Sequence, residues 1–112
     1  MPIQYEVSLT INSEIVPEYL KWLKAHVSEM LSFPGFENAV FLDQMDPVIA
    51  EGQITVIVQY RLRDTNTFET YLQTQAKRMR KEGLERFGDK VKATRRLSII
   101  QEAMFSEQAT SN

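Results

Sequence analysis

The sequence has no cysteine, one histidine, one tryptophan and four glycines in 112 residues. Without cysteine there is no disulfide, no thiolate nucleophile and no zinc site of the cysteine-containing kinds, a usage that suits a reducing compartment. A metal centre would rest on His26 plus carboxylates, and Glu29 falls on the wet edge of its helix, so no metal is expected. Glycine is too sparse for a phosphate-cradling loop, and neither a Gly-x-Ser-x-Gly elbow nor a His-Glu-x-x-His pair occurs. No apolar run approaches the roughly 20 residues of a membrane span. The stretch Met1 to Glu6 lacks the basic and apolar regions of a signal peptide, so we expect a cytoplasmic protein with no membrane partner. Charge of one sign is also missing. Thirteen Lys and Arg against fifteen Asp and Glu give a net charge of −2, with no general pull on phosphate backbones.

What is present is ordinary globular composition, 43% hydrophobic and 25% charged. We expect one domain over residues 1–102 and a flexible, mostly polar tail over 103–112, broken only by Ala103-Met104-Phe105. Along the chain the hydrophobic period runs two-residue, helical, two-residue, two-residue, helical, two-residue. Ile3, Tyr5, Val7, Leu9 and Ile11 alternate with polar residues and predict a first strand. Pro17 suits a helical first turn, and the helix should run from about Val16 to Leu31, ahead of Phe33-Pro34-Gly35. A second strand follows from Phe36 to about Met45, apolar on both faces, and Ile54 to Leu62 alternate as a third. Asp64 or Thr65 caps a second helix with the stripe Phe68, Tyr71, Leu72, Ala76, Met79 and Gly83, ending at Gly88. Val91 to Ile100 is the fourth strand. This βαββαβ series predicts a ferredoxin-like α+β sandwich, a four-stranded antiparallel sheet of order 4-1-3-2 with two helices on one face. The other face carries Glu6, Ser8, Thr10, Thr55, Gln59 and Arg96 beside Ile57 and Ile100, a mixture that is either wet or packed on a copy of itself.

The first helix has an apolar arc of roughly half its circumference, too wide for contact with one sheet alone. Leu20, Leu23, Val27 and Leu31 form its middle and one flank; Tyr19, Trp22, His26, Met30 and Phe33 form the other. His26 has two readings. It is a general base or ligand-orienting group in an aromatic pocket, or a half-buried histidine satisfied by a carbonyl or carboxylate. The second outweighs the first because no second catalytic partner stands out, and no catalytic residue is assigned. Gln75, inside the second helix's stripe, must find a hydrogen bond; it either points into the cavity of His26 or lies at the stripe's border, which is favoured. The run Lys77-Arg78-Met79-Arg80-Lys81 scatters around a helix, is diluted by Glu82, Glu85 and Asp89, and reads as a solvated face rather than a nucleic-acid surface.

Three stretches carry a resemblance: Tyr19-Leu20-Lys21-Trp22-Leu23 with His26, Val58-Gln59-Tyr60, and Glu85-Arg86-Phe87-Gly88-Asp89-Lys90-Val91 with Arg95-Arg96. Together they resemble a family of short bacterial proteins of unknown function in the dimeric α/β-barrel superfamily, over about residues 3 to 100. The resemblance implies a homodimer, two sheets face to face as a barrel, and a small organic molecule held between sheet and helices. Haem-degrading relatives place Asn, Trp and His on different elements, whereas Trp22 and His26 share one helix, so haem is disfavoured and no cofactor is expected. The leading expectation is a binding module with Tyr19 and Trp22 as walls and His26 as polar anchor. A cofactor-independent oxygenase, isomerase or lyase, with His26 as acid–base group supported by Gln75 or Arg80, is the alternative. An assembly module without a ligand is the third.

Overall fold

The structure is a computed structural model and describes residues 1–107; the last five residues of the expected tail lie outside the described residues. The elements are β1 (Ile3–Asn12), α1 (Val16–Met30), β2 (Phe36–Asp43), β3 (Gln53–Leu62), α2 (Thr65–Thr74), α3 (Ala76–Phe87) and β4 (Val91–Ile99), with single 3-10 turns before α1 and after α3. The strands form one antiparallel sheet ordered β2-β3-β1-β4, which is the expected 4-1-3-2 arrangement read from the other edge. Its odd-numbered β1 residues and even-numbered β3 residues point to the helices, so Ile3, Tyr5, Leu9 and Ile11 are buried against Val56, Val58, Tyr60 and Leu62.

Local chemistry sets the helix ends. The Asn12 side chain accepts the Glu14 amide at 2.9 Å at the turn into α1, and Pro17 sits in the first turn. Asp64 accepts both the amide and the hydroxyl of Thr67, at 2.9 and 2.8 Å, and caps α2. Gly35, at φ +88°, turns the chain from α1 into β2 where a Cβ would run into Thr67.

Three details differ from expectation. The second helix is two helices, broken at Gln75 (φ −127°, ψ −30°). The cause is spacing: Tyr71 and Ala76 are both buried but five residues apart, and an unbroken helix would turn Gln75 inward instead of Ala76. Leu31 is exposed because α1 buries the row Tyr19, Leu23, Val27 and Met30, one residue round from the expected centre, and Leu72 is exposed because α2 buries Thr67 and Tyr71. β2 stops at Asp43 rather than near Met45 and is an edge strand, leaving Val40, Phe41 and Leu42 exposed. Among the described residues no helix is long and apolar enough to cross a membrane.

Candidate functional site

The helix-facing side of β1, β3 and β4, with α1 and α3 above it, encloses a cavity of about 100 Å³. One wall is aromatic. Tyr19, buried on α1, meets the Phe87 ring edge-on at 4.8 Å; Trp22 meets the same ring at 5.6 Å and lies flat on His26, ring centres 4.6 Å apart and 25° from parallel. The stack follows from the four-residue spacing of Trp22 and His26, which sets one above the other on a helix face. Gly83 on α3 completes the wall. A Cβ there would stand 2.9 Å from Cη2 of Trp22, so glycine is what lets α3 close on the indole.

His26 is half-buried, and its Nδ1 is shut off from solvent with no hydrogen-bond partner among the described residues. Burial lowers its pKa below the ordinary value. The nearby carboxylates of Glu82 and Glu29 oppose the shift, while the cations of Arg95 and Arg78 reinforce it. The imidazole is therefore neutral around pH 7. Arg80, in the expected solvated run, turns inward: its Nη2 donates to the Tyr5 hydroxyl at 3.2 Å, and its buried Nε has no partner among the described residues. Burial pushes the phenol of Tyr19 up to about 12, against Arg95. It does the same for Tyr71, also to about 12, aided by Tyr5 and opposed by Arg80 and Arg95, and it pushes Tyr60 higher still. All three hydroxyls are neutral donors and acceptors at physiological pH.

Of the five residues singled out in the sequence, Tyr19, Trp22, His26 and Arg80 line this one cavity. Gln75 does not. It borders a separate hollow of about 140 Å³ near Phe33, Phe36 and Tyr71, and its Oε1 accepts from Arg78 at 2.8 Å, while Arg78 also binds Glu29 at 2.8 Å. Sequence reasoning missed Arg95. Val91, Ala93, Arg95, Leu97 and Ile99 alternate on the helix-facing side of β4, and Arg95 lies opposite Val7 within the cavity lining. A cation in the middle of an otherwise apolar alternation was the signal. Among the described residues no carboxylate lines the cavity.

An α+β sandwich with its helices on one face and an aromatic, arginine-bearing hollow beneath them is the class of molecule these features define. More particularly, the chain belongs to the family described as domain of unknown function DUF4286, which matches residues 2–100. No curated protein matches it. Solved structures share the fold at low identity. SnoaB, a cofactor-independent oxygenase from Streptomyces nogalater, is 11% identical with a TM-score of 0.69, over 92% of this chain and 96% of that one. An ethyl tert-butyl ether D (EthD) family protein from Bacillus halodurans is 13% identical, TM-score 0.66, over 90% and 100%. A dimeric ferredoxin-like protein from an uncultured marine organism is 14% identical, TM-score 0.60, over 93% and 100%.

Proposed function

We propose that this protein is a homodimeric binding module that holds a small, partly apolar organic molecule between sheet and helices. Tyr19 and Trp22 are its walls and His26 its polar anchor. The observation that carries this reading is the hollow that brings Tyr19, Trp22, His26 and Arg80 together, with His26 Nδ1 and Arg80 Nε buried beside it and without a partner among the described residues. A buried donor or acceptor left unpaired costs about 1–3 kcal/mol, which a polar group of a ligand relieves as an ordered water does. A few polar groups converging in an apolar cavity is the usual composition of such sites. The dimer is supported by the sheet's open face. There Thr10 and Thr55 share a hydrogen bond at 3.1 Å and Gln59 donates to Glu6 at 3.0 Å, beside Ile57, Val40 and Leu42. One protein of the same fold is described as dimeric.

Thermal-shift screening against aromatic acids, quinones and neutral acyl compounds tests the reading. A ligand at a hundred times its Kd adds about 2.7 kcal/mol, which moves the melting point of a domain this size by several degrees. An unmoved melting point across the panel sinks the binding module and leaves assembly. A second reading, an enzyme with His26 as base, is favoured by the neutral imidazole at the cavity wall and by the fold it shares with a cofactor-independent oxygenase. Consumption of a hit compound by the wild type but not by His26→Ala would establish it.

A further inference from the structure

Charge inside the cavity is one-sided. Of the five arginines outside it, Arg61 meets Glu37 at 3.2 Å, Arg63 meets Asp64 at 3.6 Å and Arg78 meets Glu29 at 2.8 Å, while Arg86 lies over the Phe87 ring. Arg80 and Arg95 both line the cavity, enter it from α3 and β4, and have no carboxylate partner among the described residues. Among the described residues the lining beside them holds the Tyr5, Tyr19, Tyr60 and Tyr71 rings and His26, while Glu82 and Glu29, which act on His26, lie outside it. Arg80 uses Nη2 on Tyr5 and leaves the adjacent Nε of the same guanidinium edge unpaired. That edge is the one that grips a carboxylate with two parallel N–H bonds. An anion in the hollow would meet both cations and the free edge of Arg80 together.

Building on the binding-module reading, we propose that the ligand is a small aromatic carboxylate, its ring against the Tyr19–Trp22 wall and its carboxylate recognised by Arg80 and Arg95. The hollow of about 100 Å³ lies well below the roughly 300–1,000 Å³ of sites for drug-sized molecules, which limits the ligand to one ring at most.

Trp22 is the sole tryptophan and forms the wall, so its fluorescence reports binding directly. Benzoate and phenylacetate are titrated into the full chain beside their neutral isosteres, benzamide and phenylacetamide. The acids should bind about tenfold or more tighter than the amides, the difference expected for charge-assisted over neutral hydrogen bonds. Arg80→Gln and Arg95→Gln should each erase most of that preference, the acids losing far more affinity than the amides. Circular dichroism checks folding, and Arg95, an exposed side chain, keeps the test decisive where Arg80→Gln does not fold. Acids binding no better than amides, or a preference that survives both substitutions, overturns the anion site while the cavity stands. No binding by any of the four also overturns it, and the neutral compounds of the thermal-shift panel then decide the cavity reading separately.

Discussion

At the scale of single side chains, His26 is held by packing and not by hydrogen bonding: it is stacked on Trp22, and its Nδ1 meets no partner among the described residues. His26→Ala should therefore cost about 1 kcal/mol or less, the part due to the ring stack, by denaturant unfolding. A loss of 2 kcal/mol or more would reveal a buried partner left stranded. The lowered pKa makes a pH prediction. The unfolded chain binds a proton at His26 near pH 6.5, while the folded chain, with burial acting first and Arg95 and Arg78 adding to it against Glu82 and Glu29, binds it only at lower pH. Stability from this group is full above the unfolded pKa and is lost as the pH falls through the folded one. The melting point should drop on acidification from about pH 7.5 to about 5.5, and His26→Gln should flatten that slope. An equal slope in the variant would place the titrating group elsewhere.

At the scale of elements, the strands were legible because period-two alternation encodes both type and facing, and β1 shows every position of it. The site was legible chiefly within α1, where Tyr19, Trp22 and His26 share a flank by helical spacing, with Arg80 of α3 the one candidate beyond it that lines the cavity. Arg95 escaped because its neighbour Arg96 points the other way, so the pair reads as surface charge until the register with Val7 and Glu6 separates them. The break at Gln75 was hidden for a related reason: a stripe tolerates a one-residue slip without losing its apolar look, and Gln75 fell inside it. Gly83 shows what such a stripe conceals. Glycine in an open helical position costs about 1 kcal/mol relative to alanine. Here an added methyl meets Cη2 of Trp22 at 2.9 Å, and the indole is backed by His26 and Phe87. Gly83→Ala should therefore fail to gain that stability and should shift Trp22 emission, since α3 or the indole must yield. A stabilised variant with unchanged emission would show that the close approach is not what holds glycine there.

At the scale of the whole molecule, the chain is a slab about 22 Å thin against 42 and 36 Å in its other dimensions, with α1, α2 and α3 on the same side of the sheet. The uncovered side is neither fully polar nor fully apolar. Thr55 is buried there within a single subunit, and the Thr10–Thr55 and Gln59–Glu6 bonds satisfy polar groups laterally, along the sheet, leaving their tops for a second layer. Ile57 stands half-buried among them, opposite Ser8 on β1 and Leu42 on β2. If two copies meet across this face, Ile57 lies within the seam, and a lysine there sets charges against one another where water is excluded. Ile57→Lys should convert a dimer to a folded monomer in sedimentation velocity at low micromolar concentration, with circular dichroism unchanged, because the helix-facing core on the other side of the sheet is untouched. The cavity lies on that other side, so the variant also separates two questions. Retained ligand binding by the monomer would show that each subunit's site is complete, and lost binding that the second sheet braces it. A wild type that already sediments as a monomer removes the two-fold pairing while leaving the cavity to be judged on its ligands alone.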